Sequence, residues 1–209
     1  MKKTKYAEFL NLDSTNAKAF NELKANIQFQ CKGQDKKVIM ISSAEKNEGR
    51  STTAAYLSMV LAKSGKKTIL IDCDLRNPNI HNIFNLLNDK GLVNYLAGDI
   101  KFDEVVQTTK QKNLQIVTSG VLALNYAELL VSENFKDFLA SLKQEFDYII
   151  MDTSPLTVGV DAKAISRYSD ACVLVVNSGV AERKTVSKAK EILEKESANI
   201  IGVFLNKAN

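Results

Sequence analysis

Val38-Ile39-Met40-Ile41-Ser42-Ser43-Ala44-Glu45-Lys46-Asn47-Glu48-Gly49-Arg50-Ser51-Thr52 is the stretch on which the fold turns. An apolar run gives way to a polar loop, and the loop leads straight into a helical pattern over 52–63 that stops at Gly65. The N-terminus of such a helix offers free N–H groups and the positive end of a dipole, so strand, loop and helix together form an anion site. A phosphate-binding loop reads Gly-x-x-x-x-Gly-Lys-Ser/Thr. Here Ala44 stands for the first Gly and Arg50 for the Lys, while Gly49 and Ser51 keep their places.

Outward from this stretch, short runs rich in Val and Ile recur at 68–71, 114–117, 148–151, 171–176 and 200–205. With 38–41 they read as strands buried on both faces. Between them lie helical stripes: Phe135, Phe138, Leu139, Leu142 and Phe146 share one face, and Val186, Ala189, Ile192 and Leu193 another. Strands alternating with helices predict an α/β protein of P-loop NTPase type, its mostly parallel sheet covered by helices on both faces. Ahead of the first strand, Ser14 is placed to cap a helix carrying Phe20, Leu23 and Ile27, which covers a sheet edge or a neighbouring subunit. With no Pro/Gly-rich linker and no internal repeat, residues 1–209 are expected to form one domain, a helical extension over 1–36 followed by a core over 37–209.

Composition bounds the class without naming it. Apolar residues at 45% and charged residues at 25% are those of a globular protein, which excludes wholesale disorder and fibrous repeats. No apolar run is long enough to span a bilayer, and the basic start meets Glu8, Asn11 and Asp13 where a secretory leader would turn apolar, so the chain is expected in the cytoplasm. Cys31, Cys73 and Cys172 lack metal-ligand spacing and read as reduced thiols. The net charge of +4 is spread over dispersed lysines, a solvated surface more than a nucleic-acid footprint, and no nucleic-acid partner is expected.

Further signals join the loop at the carboxyl ends of the strands, where open α/β sheets place their ligands. The second strand runs into Asp72-Cys73-Asp74-Leu75-Arg76-Asn77-Pro78, and the fourth into Asp152-Thr153-Ser154-Pro155. An aspartate after a strand is most often a cap or turn residue. Three of them beside an anion-binding loop make the arrangement a magnesium nucleotide needs: N–H groups and a cation for phosphates, a hydroxyl on the metal, and carboxylates for its water shell.

With these residues in place, the chain resembles the bacterial tyrosine kinase family of capsule and exopolysaccharide synthesis, of CpsD/CapB type, within the deviant-Walker P-loop ATPases. The resemblance runs from Leu23-Lys24-Ala25-Asn26-Ile27-Gln28-Phe29 through the loop, the Asp72 to Pro78 motif, Gly91-Leu92, Ala127-Glu128-Leu129-Leu130 and Asp147 to Pro155, to Ile201-Gly202-Val203-Phe204-Leu205-Asn206. It implies ATP and Mg2+ as cofactors. By the same resemblance Ser51 would coordinate the metal, Asp72 and Asp74 would organise metal and attacking hydroxyl, and Asp152 would hold the metal's water. The loop over Asn47, Glu48, Gly49, Arg50, Ser51 and Thr52 would wrap the phosphates, Arg50 standing at the catalytic cation's position, and Asn206 would lie near the adenine. The implied partners are a membrane adaptor, the co-polymerase of polysaccharide export, whose cytoplasmic tail activates the kinase at the inner face of the membrane, and tyrosine substrates. A homo-oligomer is implied as well.

Four departures from the family pattern bear on activity. Arg50 is always charged and reaches phosphate, yet its planar fork is larger than an ammonium and follows a transferring phosphoryl less closely. Lys46-Asn47 replaces Pro-Gly, and Asn tolerates the left-handed backbone the loop needs. Lys46 is expected in solvent, with a second cation for the phosphates as the alternative. The tyrosines at 6, 56, 95, 126, 148 and 168 are far apart and form no autophosphorylation cluster. Lys18, Asn21 and Lys24 stand where the family's oligomerisation helix reads Glu-x-x-Arg-x-x-Arg, without its salt-bridging acid. The sequence thus predicts a tyrosine kinase, with a catalytically impaired nucleotide-binding regulatory subunit as the alternative. A partitioning-type ATPase is disfavoured by Glu45, where those relatives carry a signature lysine.

Overall fold

The computed structural model describes residues 15–31, 37–121, 126–159 and 161–207, and Ser14 with the rest of the early extension lies outside them. Among the described residues seven strands build one sheet: β1 (Val38–Ser43), β2 (Thr68–Asp72), β3 (Val106–Thr108), β4 (Leu114–Val117), β5 (Tyr148–Asp152), β6 (Ala171–Asn177) and β7 (Ile200–Asn206). They lie in the order β3-β4-β2-β5-β1-β6-β7, and every pairing is parallel except β3 with β4. β3 is the strand that periodicity does not reveal, since three residues at a half-exposed edge carry too little pattern.

The interior strands β1, β2, β5 and β6 are buried along their whole length, as their Val/Ile-rich runs require. Alternate residues feed two cores. Val38, Met40, Ile149, Met151, Cys172 and Leu174 point to one face, where they meet Phe135, Phe138, Leu139 and Leu142 of helix α7 (Glu133–Glu145) and Ala189 and Leu193 of α9 (Arg183–Lys195). Ile39, Ile41, Ile150, Val173 and Val175 point to the other, against α2 (Arg50–Lys63) and Ile27 of α1 (Thr15–Gln30). Short helices α3 (Ile80–Phe84), α4 (Leu92–Leu96), α5 (Phe102–Val105), α6 (Tyr126–Leu129) and α8 (Asp161–Ser166) complete the connections. The three cysteines are buried, and none is joined in a disulfide among the described residues.

β7 departs from the expectation of strands buried on both faces. It is an edge strand, and Gly202, Val203 and Leu205 are exposed along it. Its inner side is covered by α1: Phe20 stacks on Tyr56 at 4.7 Å between centroids and leans on Phe204 at 5.0 Å. The helix ahead of β1 therefore covers a sheet edge of its own chain, and Ile27 is fully buried beneath it.

Phe20→Ala should remove this three-ring contact and lower stability by about 3 kcal/mol, the order found for buried Phe truncations. Urea unfolding of the full chain reads this directly. A shift below about 1 kcal/mol would mean that α1 is held by contacts other than the rings.

Candidate active site

β1 sits between β5 and β6, and the chain leaves it for β2 on one side and later returns to β6 on the other. Such a reversal of strand order opens a crevice at the carboxyl edge. The loop between β1 and α2 fills it. Asn47 takes φ 63° and Gly49 φ 89°, so Asn supplies one of the left-handed turns. Glu48 is buried and braces the loop from inside: its carboxylate accepts the N–H of Glu45 at 2.8 Å and that of Asn177 at 3.4 Å. Its carbonyl accepts Nδ2 of Asn206 at 2.8 Å. A Cβ on Gly49 would fall 1.9 Å from that same Nδ2, so loop and β7 terminus close together only around glycine. Among the described residues no side chain caps α2 at Gly49, which leaves its N-terminus free for an anion. A cavity of about 790 Å³ opens here, lined by the loop from Lys46 to Thr52, by Asp74 and Asn77-Pro78-Asn79, and by Pro155, Asn206 and Lys207. Lys46 is exposed at its rim.

Three buried aspartates lie beneath the loop. Asp72 and Asp152 end adjacent strands in direct register. Asp72 turns to the backbone: one oxygen accepts the N–H groups of Asn79 and Ile80, both at 3.0 Å, and the other that of Asp74 at 3.3 Å. It thereby holds the start of α3. Asp74 and Asp152 are joined by Arg50, which is only 9% exposed. Its Nη2 meets Asp74 Oδ2 at 2.5 Å, its Nε meets Asp152 Oδ1 at 3.1 Å, and its Nη1 donates to Ser43 Oγ at 3.3 Å.

Burial and the neighbouring Asp152 and Asp74 push the Asp72 carboxyl well above the usual range, against the pull of its backbone donors. Burial also raises Asp74, although Arg50 opposes it. Asp152 is pushed up to about 6 by burial, with Arg50 and the Ser51 hydroxyl holding it back. Its Oδ2 is buried and has no hydrogen-bond partner among the described residues.

These residues fit a divalent cation of one kind. Among the described residues no group of three acidic, His or Cys side chains is placed to hold a metal directly. The free Oδ2 of Asp152 and the nearby Ser51 hydroxyl suit an ion that keeps most of its water, as Mg2+ does. Of the sequence candidates, Asn47, Glu48, Gly49, Arg50, Ser51, Thr52, Asp74 and Asn206 thus line one cavity. Asp152 touches it through Arg50, and Asp72 lies behind it as a helix anchor. Sequence reasoning missed the inward turn of Glu48 and the part of Asn177. An acid inside a phosphate loop and an amide at a strand end signal nothing by spacing.

Comparison with known proteins adds a second line of evidence. A model of the AAA domain family matches residues 36–196. Tyrosine-protein kinase YwqD of Bacillus subtilis is 37% identical over 193 residues, which cover 92% of this chain and 81% of that protein. The kinase domain of the Escherichia coli tyrosine kinase ETK superposes with a TM-score of 0.91 at 29% identity, over 96% of this chain and 82% of that one. The septum site-determining protein MinD of Pyrococcus horikoshii, complexed with Mg-ADP, superposes at 0.71 with 26% identity, over 83% and 71%.

The raised Asp152 carboxyl has a measurable consequence. An unfolded chain releases this proton near pH 3.8 and the folded protein near 6. Between those values the folded state holds the extra proton, so its stability falls as pH rises through the window and levels off above it. Asp152→Asn lacks the proton. The urea-unfolding difference between variant and wild type, without nucleotide or metal, should shift in favour of the variant from about pH 4 to about pH 6 and then flatten. A difference independent of pH would contradict the raised carboxyl.

Proposed function

This chain belongs to the bacterial tyrosine-protein kinase family, and from that premise we propose that it transfers the γ-phosphoryl group of Mg-ATP to tyrosines of a partner protein. The observation that carries the reading is the meeting, in one cavity, of an uncapped helix N-terminus, the Ser51 hydroxyl and the buried Asp74 carboxyl. The N–H groups over Asn47 to Thr52 bind and orient the phosphates. Ser51 would hold Mg2+ together with Asp152 acting through water, and Asn206, packed beside Gly49, would border the nucleoside. Held there, Mg2+ would supply positive charge against the charge that develops during transfer. Asp74 lines the cavity with a carboxyl already raised by burial, so it is suited to accept the phenol proton as tyrosine attacks. Asp72 holds α3 and with it the Asn77-Pro78-Asn79 wall.

Acceptor tyrosines on a partner agree with the state of those in this chain. Tyr148 is buried in β5, Tyr56 stacks on Phe20, Tyr95 leans on Phe138 at 4.9 Å, Tyr168 meets Phe135 at 5.5 Å, and Tyr126 lies under the Arg76 guanidinium at 5.3 Å. Each is engaged in packing, and Tyr6 lies outside the described residues. We further propose, from the sequence resemblance, that the partner is a membrane adaptor of capsule or exopolysaccharide export, which recruits the chain to the inner face of the membrane. A second reading, a nucleotide-binding regulatory subunit with slow transfer, is favoured by Arg50, whose guanidinium is committed to Asp74 and Asp152.

Incubating the full chain with Mg2+, ATP radiolabelled at the γ-phosphate and a Glu-Tyr copolymer should yield phosphotyrosine. Asp74→Asn, assayed at a temperature where circular dichroism shows it folded, should lower the rate by at least about a hundredfold, the scale of a lost general base. No label on tyrosine from either wild type or Arg50→Lys would sink the kinase reading.

A further inference from the structure

The guanidinium of Arg50 occupies the place between Asp74 and Asp152 that a cation serving both carboxylates would occupy. Its contacts are directional, with Nη2 on Asp74, Nε on Asp152 and Nη1 on Ser43 Oγ. All four groups are buried, and Arg50 ties Asp152, the last residue of β5, to Asp74, two residues past the end of β2. Asp74 Oδ1 accepts the N–H of Asn77 at 3.3 Å, so both of its oxygens are engaged, and Asp152 retains only Oδ2. A lysine at this position, flexible and carrying a compact charge, could follow phosphate. A forked and permanently charged guanidinium, held by two buried acids, resists withdrawal because leaving would strand unpaired charges.

We propose that Arg50 is the resident cation of this site, so that nucleotide binds with little help from divalent metal and metal competes with Arg50 for Asp74 and Asp152. The inference rests on the nucleotide-binding reading above and deepens it. Mg2+ ordinarily joins nucleotide to protein by bridging phosphate oxygens to a hydroxyl and to carboxylate-held water. Here the carboxylates are already neutralised, and the added ion gains only the Ser51 hydroxyl and Asp152 Oδ2 from the protein. Arg50 itself lines the cavity beside Ser51, so the cation that serves both carboxylates lies at the wall the phosphates would meet. With lysine at this position the fork is gone, the carboxylates are freed, and binding should depend on metal.

The test is calorimetric titration of the full chain with ADP, in Mg2+ and in EDTA, for wild type and Arg50→Lys. Wild-type affinity should change by less than about threefold when metal is removed, and that of Arg50→Lys should fall by at least about tenfold. A fall of about tenfold or more in the wild type overturns the inference while leaving the nucleotide reading intact, and this arm decides even where the variant does not fold. A small metal effect in both proteins overturns it too, since Arg50 would then not be the cause. Absence of ADP binding by the wild type in both buffers overturns the inference and the nucleotide reading together.

Discussion

Burying three aspartates at the end of one sheet is the constraint to which the rest of the site answers. An isolated carboxylate in such a place would be strongly destabilising, so each must be protonated, paired or met by several N–H groups. The fold uses a different solution for each. Asp72 receives three backbone N–H groups, and Asp74 and Asp152 share Arg50. Arg50 in turn can reach both acids because it opens α2 directly beneath the loop, between the ends of β2 and β5. Removing the guanidinium alone would leave two buried acids uncompensated, which is more disruptive than replacing the whole set by apolar groups.

The loop above them is held by equally local chemistry. Glu48 ties it to the end of β6 through Asn177, and Asn206 ties it to the end of β7. Ser43 accepts the N–H of Leu156 at 2.9 Å, and Thr157 donates its hydroxyl to Ala44 at 2.7 Å, which fastens it to the segment after β5. The anion site is therefore formed before any ligand arrives. Preorganised donors of this kind lower the cost of ordering the site on binding.

Most of the fold was legible because its strands and helices obey simple periods. The runs at β1, β2, β5 and β6 alternate between two buried cores, and the α7 stripe lies on one of them as its spacing required. What escaped were elements whose identity depends on neighbours. β3 is defined only by pairing with β4, and the exposed side of β7 follows from its place at the sheet edge, which composition cannot convey. The candidate site was legible as a set of residues, since the phosphate-loop spacing and the strand-end aspartates are visible in one dimension. The partition of work among them was not. Arg50 reads as a phosphate ligand until its side chain is seen turned to Asp74 and Asp152, and Asp72 is indistinguishable from Asp74 until the donors around it are known.

Asp72 connects these levels. Two positions separate it from Asp74, so along extended chain both carboxyls emerge on the same side, yet one faces the cavity and the other the first turn of α3. That split lets the Asp72 to Pro78 motif do two things at once. Asp74 lines the cavity, and the neighbouring wall, Asn77-Pro78-Asn79, is fixed to the same segment through Asp74 and Asp72. A movement of α3 would therefore pull on Asp72, displace Asp74 and strain its contact with Arg50. Charge compensation and cavity shape are coupled through one seven-residue motif, from Asp72 to Pro78, in this sequence.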